Sequence, residues 1–496
     1  MTRVPLLADT RLVVADAAPE DVVLRPPRPP APLSDVPAAT REALAFPLAG
    51  RPLAELVTRG GSATIVIEQP VLPIPGAQHE PRHVAIAAVA DELERLGVRR
   101  VTILVAGGLL RRTTPREIGS LVTPEFRRRF RGRVIVHDVE ADDLVDLGDA
   151  DDVWLRVNPA LVETDLVVAV TAAETVLHGG PAALLAATGR ESLIAAEAIS
   201  LLEPSTSRGW LLAREVERRL LARVPVTGVS LVLDTPRLTG PVAGYPYDQE
   251  AIERLVGSRL RRLFQRAPGA LRLRGLERLP RTISTAAVFG GTPSVAHAEA
   301  LLRGTLFKGV ELREPLDAIV LGVPPTTPFL PRERPNPVSA AYLGLGLALR
   351  LWRNAPPVTA DGTVIIAHPL PRRFPRPTQT PYRALFFDPH SAGDGEGGLH
   401  AAERQAAGDE RMVGDYRAGR SSHPLQPFAE WRACMTTKAR VGTVLVAGCR
   451  DAQTARQLGL VGVQSLGTAV AMAHGRGAER IGYLLSPPYF PLVGAG

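Results

Sequence analysis

The stretch that decides the predicted fold is residues 165–189, DLVVAVTAAETVLHGGPAALLAATG. Its first part, residues 165–170, is short and mainly apolar, as is typical of a strand buried on both faces. The chain then turns through His178, Gly179 and Gly180, and glycines at a strand end let a ligand approach the backbone closely. In open α/β sheets, ligands bind beyond the carboxyl ends of the strands. The stretch therefore predicts a buried strand followed by a candidate ligand-binding loop.

The same alternation of strand and helix continues along the chain. Residues 63–67 and 101–105 are predicted strands, and residues 84–96 between them have the apolar spacing of a helix that stops at Gly97. Such alternation favours mostly parallel sheets covered by helices on both faces. We therefore predict the α/β fold class, with two α/β domains, mostly parallel sheets and a cleft between the domains.

The predicted domain organisation follows the proline content and this rhythm. A proline-rich stretch near the N-terminus predicts an extended arm. A later stretch loses the apolar rhythm, which predicts an irregular insertion. The predicted divisions are an arm at residues 1–40, a first α/β domain at 41–226, a second at 227–440 with the insertion at 371–427, and a C-terminal α/β segment at 441–496 that packs back on the first domain.

Composition limits the classes of function. The formal charge of +7 comes almost entirely from arginine, because Lys308 and Lys438 are the only lysines among 496 residues. We attribute this skew to genomic base composition and interpret the basic run at residues 127–133 as a solvated helix end, so no nucleic-acid partner is predicted. Two cysteines fit a reducing cytoplasm. We expect neither a signal peptide nor a membrane span, because no apolar run reaches the required length.

Two further loops follow predicted strands and carry candidate ligand-binding residues. Residues 68–76 contain prolines that fix a rigid turn, and residues 106–112 combine a glycine pair with two arginines that could meet phosphate or carboxylate. The alternative for each loop is a tight turn without a ligand. The candidates in these loops are Pro73, Pro75, Gly107, Gly108, Arg111 and Arg112.

The order of these segments resembles the nickel-pincer lactate racemase family. The resemblance lies in the collinear runs LAFPLAGRPLAELVTRGGSATIVIEQPVLPIPG, VTILVAGGLLRR, HGGPAALLAATGRESLIAA, FGGTPSVAHAEAL and LDAIVLGVP. It covers roughly residues 20–370 and 428–491. The resemblance implies a lactate-racemase-like fold and a racemase or epimerase activity on 2-hydroxy acids.

The resemblance also implies a cofactor, and the sequence departs from the residues that would hold it. In that family a lysine tethers a nucleotide-derived pincer that binds nickel, one histidine ligates the metal and two more exchange the hydroxyl proton. Here Pro181 and Ala182 occupy the place of the lysine, Leu110 that of an acid/base histidine, and Ala196 or Glu197 that of the nickel ligand. We therefore predict no covalent nickel-pincer nucleotide and no metal site.

Two classes of function remain open at this point. The chain is either a lactate-racemase-like isomerase with altered or lost activity, or a non-catalytic protein that binds a nucleotide, an organic acid or a protein partner in the same cleft. Enzymatic activity is left open, because the family favours it and the missing lysine and histidines oppose it. The predicted ligand is a small organic acid or a nucleotide, and the predicted location is the cytoplasm.

Overall fold

The computed structural model describes residues 2–69, 81–115, 117–325, 334–388 and 395–495. The strands are β1 (Thr2–Ala8), β2 (Arg11–Ala17), β3 (Val22–Leu24), β4 (Ser62–Glu68), β5 (Arg100–Ala106), β6 (Arg133–Val136), β7 (Val145–Ala150), β8 (Val153–Val157), β9 (Val167–Ala172), β10 (Val226–Leu233), β11 (Arg237–Leu238), β12 (Arg281–Thr282), β13 (Thr285–Gly291), β14 (Val310–Leu312), β15 (Leu316–Gly322), β16 (Trp352–Arg353), β17 (Val358–Ala367), β18 (Thr443–Ala447), β19 (Val461–Val463), β20 (Ile481–Leu484) and β21 (Leu492–Gly494).

Helices connect and cover these strands. They are α1 (Val36–Ala45), α2 (Leu53–Leu56), α3 (Pro81–Arg95), α4 (Pro124–Arg129), α5 (Pro181–Leu185), α6 (Arg190–Ile194), α7 (Arg208–Leu221), α8 (Gln249–Gly257), α9 (Arg259–Arg266), α10 (Gly269–Glu277), α11 (Pro293–Lys308), α12 (Pro337–Ala341), α13 (Thr380–Phe387), α14 (Gly395–Ala407), α15 (Glu410–Arg417), α16 (Gln426–Lys438), α17 (Ala452–Gln457) and α18 (Leu466–Gly475). A π-helical turn, Tyr342–Leu347, continues α12.

The first sheet has the strand order β13-β10-β9-β4-β5-β6. Its strands are parallel except β13, which runs antiparallel to β10. Every residue of the central strand β9 is buried, because apolar clusters cover both faces of the sheet. This burial explains why the strand reads as a continuous apolar run rather than an alternating one.

The second sheet has the order β19-β18-β17-β15-β20-β3, and all its pairings are parallel. A small parallel sheet, β14-β21-β16, and the hairpins β1-β2 and β7-β8 lie outside the two large sheets. The mixed α/β architecture with mostly parallel sheets is confirmed. We call the units built on these sheets the first and second domains.

The strand pairing corrects several predicted divisions. The N-terminal arm holds the β1-β2 hairpin, and β3 is an edge strand of the second sheet. Strand β10 pairs with β9 in the first sheet, so no new domain starts at residue 227. The C-terminal strands β18 and β20 join the second sheet instead of packing back on the first domain. The sequence of a strand that is apolar and buried on both faces does not indicate which of the two sheets the strand joins.

The prediction of an irregular insertion at residues 371–427 is also corrected, because the described part of this stretch is largely helical. Helix α13 buries Tyr382 and Phe386, and α14 buries Leu399 and Ala402 against the second domain. Helix α15 starts at a capping residue, Asp409, whose side chain accepts a hydrogen bond from the Met412 amide at 3.0 Å. Several glycines of this stretch lie inside the helices, Gly397 in α14 and Gly414 in α15 among them, so its glycine content does not mark an irregular loop.

In the described residues, no helix is both long and apolar enough to cross a membrane.

We predict that Gly290→Ala lowers the stability of the first domain. A Cβ at this position in β13 would lie 2.0 Å from the carbonyl oxygen of Ala43 in α1, so the helix must move away from the sheet. Such overpacking costs about 1–3 kcal/mol. Thermal unfolding measures the effect.

The matched control is Gly414→Ala in α15, where no atom lies within 4 Å of the added methyl group. This change should raise the free energy of unfolding by up to about 1 kcal/mol, because alanine is the better helix former. Equal melting temperatures for the wild type and Gly290→Ala would contradict the close packing of α1 on β13.

Candidate functional site

A cavity of about 160 Å³ lies between the two domains, beyond the carboxyl ends of β4 and β5. The first domain contributes the turn after β5, the loop after β9 and helices α5 and α6. The second domain contributes helix α16, Tyr342 and Arg350. The cavity therefore occupies the position at which ligands bind in open α/β folds.

The predicted turn Gly107-Gly108 forms one wall of this cavity. Gly108 has a φ of 52°, which favours glycine, and its amide donates a hydrogen bond to the Ala186 carbonyl at 3.1 Å. Leu110 also lines the cavity, so an apolar side chain stands where the family resemblance implies an acid/base histidine. The turn is thus part of the candidate site.

The two predicted arginines instead join the first domain to residues near α15. The Arg112 guanidinium donates to the carbonyls of Val136 and His137, each at 3.0 Å, and to that of Arg417 at 2.6 Å. Arg111 donates to the Gly419 carbonyl at 3.0 Å and forms an ion pair with Glu117 at 2.5 Å. Neither arginine lines the cavity. Their hydrogen bonds hold a structural junction between the domains.

The loop after β9 places His178 in the cavity wall. Its Nδ1 lies 2.9 Å from Thr175 Oγ1. Burial, with help from His297 and Arg350, lowers the pKa of His178 to about 3. The imidazole is therefore neutral at physiological pH, and it offers the site a polar group without charge.

Gly179 and Gly180 are needed for packing rather than for approach of a ligand. Both have positive φ, 95° and 54°. A Cβ on either residue would lie 2.2–2.3 Å from the ring or Cβ of His297. The sequence predicted a ligand-binding turn at this glycine pair, whereas in the structure a buried histidine fills the space.

His297 itself was not predicted. Its Nε2 lies 3.0 Å from the Thr175 carbonyl and its Nδ1 lies 3.1 Å from Ser230 Oγ. A carbonyl only accepts hydrogen bonds, so Nε2 carries the proton and Nδ1 accepts one from the serine. Burial lowers the pKa of this histidine to about 4. His297 is therefore a neutral group that supports the loop after β9.

Glu68, the last residue of β4, is a cavity residue that sequence analysis did not select. Burial and the nearby Glu174 raise the pKa of its carboxyl to about 8, although Arg82 and the Gly179 amide partly oppose the shift. Glu174 forms an ion pair with Arg82 at 3.3 Å. The sequence signal for Glu68 was a charged residue at the end of an otherwise apolar, buried strand.

Helix α16 brings a second unpredicted carboxyl, Glu430, to the cavity. Glu430 is 3% exposed, and its Oε1 accepts hydrogen bonds from Tyr382 Oη at 2.7 Å and Gln426 Nε2 at 3.1 Å. Arg432 also lines the cavity, and Glu403 holds its Nη1 at 2.8 Å. The sequence signal was an acid between Phe428 and Trp431, both of which are buried.

The residues present do not fit a tethered nickel-pincer cofactor. Pro181 and Ala182, where the lysine is expected, form the first turn of α5. Lys308 and Lys438 do not line the cavity, and Lys438 donates to the Leu458 carbonyl at 2.9 Å. No group of three His, Cys, Asp or Glu side chains able to hold a metal occurs in the described parts of the chain. Pro73 and Pro75 of the first predicted loop lie outside the described residues.

Comparison with known proteins shows which family the N-terminal part of this two-domain α/β protein matches and which solved structures share its fold. Residues 14–196 match the model of the lactate racemase N-terminal domain family. The lactate racemase apoprotein of Thermoanaerobacterium thermosaccharolyticum superposes with a TM-score of 0.62 at 14% identity, over 99% of this chain and 100% of that chain. No curated protein sequence matches the chain.

A protein from Thermotoga maritima also superposes, with a TM-score of 0.51 at 11% identity, over 94% of this chain and 100% of that chain. At these identities the superpositions establish the fold, and the family match establishes the N-terminal domain. The predicted resemblance is confirmed for residues 14–196, which match the lactate racemase N-terminal domain, and the chain as a whole has the fold of the lactate racemase apoprotein.

We predict that Arg112→Ala loosens the junction between the domains. The change removes a charged donor from three carbonyl groups, and a hydrogen bond to a charged group contributes about 1.5–3 kcal/mol. Hydrogen exchange across residues 410–423 should become faster. The control is Arg128→Ala, which removes an exposed side chain that pairs with Glu125 at 3.5 Å. Unchanged exchange in the Arg112 variant would show that this arginine does not hold the junction.

We also predict that this chain acquires no pincer adduct when it is co-expressed with the enzymes that make the cofactor. The loop after β9 offers no amine for the tether. Intact-protein mass spectrometry should return the mass of the unmodified 53.0 kDa chain. A lactate racemase that carries the lysine is the positive control. A pincer-sized adduct mapped to Lys308 or Lys438 would overturn this prediction.

Proposed function

We propose that this protein uses the cleft of the lactate racemase fold to bind one small organic acid, without the tethered nickel cofactor and without racemising the acid. The observation that carries the proposal is the cavity between the domains, which joins apolar walls to a few buried polar groups. Such a combination is typical of small-molecule sites.

The size of the cavity favours a ligand with a short carbon chain. Its volume, about 160 Å³, is below the roughly 300–1,000 Å³ of pockets for drug-sized ligands. Leu109, Leu177, Leu193 and Ala429 supply apolar surface around it. A ligand of a few carbon atoms fits this volume, whereas a dinucleotide is too large.

The charges around the cavity favour an acid over an amine. Arg350 and Arg432 both line it. Arg350 is buried and donates to the carbonyls of Ala198, Ile199 and Gly346, so it fixes a positive charge at this wall. The Nη2 of Arg432 is buried and has no hydrogen-bond partner in the part of the chain that the structure describes. That nitrogen is a donor available to a carboxylate.

The residues of the site also argue against racemisation by the family's route. In the family's route two histidines exchange the hydroxyl proton, and each must titrate near neutral pH and touch the substrate. Leu110 replaces one such histidine, and His178 has a pKa of about 3. Loss of one general acid or base typically costs about 10²–10⁴ in rate. Binding is therefore the function that the remaining groups support best.

Calorimetric titration with racemic lactate and with glycolate tests this proposal. We expect binding of at least one acid and no change in the enantiomeric ratio of L-lactate by chiral chromatography. Ala429→Leu should weaken binding at least about tenfold, because the larger side chain extends from the wall and fills part of the cavity.

The matched control is Met435→Leu, a change to the same residue on an exposed position of α16 that should leave affinity unaltered. The absence of binding by the wild type would refute the proposal. Racemisation of L-lactate would refute the loss of activity while keeping the cleft as the site.

A further inference from the structure

The feature that the proposed binding site leaves unexplained is one oxygen of Glu430. The side chain is 3% exposed and lines the cavity. Its Oε1 accepts two hydrogen bonds, from Tyr382 and Gln426. Its Oε2 is buried and has no hydrogen-bond partner in the described residues. A buried acceptor without a hydrogen bond costs the folded protein about 1–3 kcal/mol. An unpaired oxygen of this kind in a cavity wall therefore points to a ligand that satisfies it.

The hydrogen bonds to Oε1 determine where a proton on Glu430 would be located. Two donors, at 2.7 Å and 3.1 Å, occupy the lone pairs of Oε1. A protonated carboxyl group would therefore keep its hydrogen on Oε2. In that form Glu430 presents an O–H donor where the ionised form presents only an acceptor.

Both forms are accessible near neutral pH. Burial raises the pKa of Glu430 to about 7, and the hydrogen bonds from Tyr382 and Gln426 only partly oppose this shift. The groups around it keep one protonation state in this range. Burial raises the pKa values of the Tyr382 and Tyr342 hydroxyls and of the Cys434 thiol beyond physiological pH.

The remaining charged or titratable groups of the cavity are Arg350, Arg432, Glu197, His178 and Glu68. With a pKa of about 3, His178 stays neutral. Glu68, with a pKa of about 8, is the other group that titrates in the same range as Glu430. An experiment on Glu430 must therefore control for Glu68.

We propose that Glu430 recognises the carboxylate of the bound acid by donating a hydrogen bond from a proton held on Oε2, so that binding of a small organic anion to the ionised form of Glu430 takes up one proton from solvent. This inference rests on the proposed function of the cleft. The short O–H···O⁻ bond formed in this way is among the strong hydrogen bonds in proteins. No proton transfer to carbon and no bond cleavage is involved.

The sign of the pH dependence follows from this arrangement. Below about pH 7 the carboxyl group is protonated and binds the anion. Above it, Glu430 must first take up a proton from solvent before it can bind the anion, so affinity should fall towards tenfold for each further pH unit. The ionised form also repels the ligand's own carboxylate.

Titration with racemic lactate between pH 5.5 and pH 9 tests the inference, because the lactate carboxyl group stays ionised over this range. For the wild type we expect constant affinity at low pH and a fall above about pH 7. Glu430→Gln should keep the low-pH affinity within a few-fold and remove the fall near pH 7, because the amide nitrogen replaces the O–H donor. Glu430→Ala should weaken binding at pH 6 at least about tenfold.

Glu68→Gln is the control for the second titrating group, and it should retain the fall near pH 7. The melting temperature of each variant shows whether it is folded. The inference is overturned if Glu430→Gln binds as weakly as Glu430→Ala at pH 6, or if it keeps the wild-type pH dependence. If the wild type binds lactate with an affinity that does not change with pH, only the role of Glu430 is overturned. If it binds no lactate at any pH, the proposed function is overturned as well.

Discussion

The candidate site depends on the attachment of α15, and of the segment between α15 and α16, to the carboxyl edge of the first sheet. The hydroxyl of the buried residue Tyr416 donates to the Gly108 carbonyl at 3.2 Å and accepts a hydrogen bond from the Val139 amide at 3.3 Å. The His423 amide donates to the Leu109 carbonyl at 2.9 Å. These bonds fix where α16 begins relative to the turn after β5. The cavity exists because two sheets that do not share a strand are held at this junction.

This junction gives the arginines and glycines of the predicted loops a structural role. Arg112 joins the end of β6 to α15 through backbone carbonyls. Gly179 and Gly180 leave room for His297, which is wholly buried and stacks on Trp210 with ring centroids 6.0 Å apart. Backbone carbonyls and a tightly packed ring satisfy these groups internally. A loop at a strand end can therefore have the sequence features of a ligand site and yet serve only to pack the domain. The ligand site itself is then formed by other residues of that domain.

The chemical character of the cavity comes from burial rather than from the residue types alone. Glu68 and Glu430 are ordinary acids in sequence, but removal from water raises the pKa of each carboxyl by making the charged form costly. The same effect lowers the pKa of His178. The cavity thus combines carboxyl groups that titrate near neutral pH with an imidazole that does not. This reverses the roles that glutamate and histidine usually have at physiological pH.

The sequence by itself determined the α/β class, a buried central strand predicted at residues 165–170 and found at 167–172, and the likeness to lactate racemases, because apolar periodicity and segment order can be read along the chain. It also placed Gly108 and His178 at strand ends that line the cavity. Only the tertiary structure decided which sheet received β10, β18 and β20, since a strand buried on both faces fits either sheet. It alone brought Glu430 into the same cavity as Glu68, which lies far away in the sequence, because burial and pKa depend on neighbours that sequence distance does not reveal.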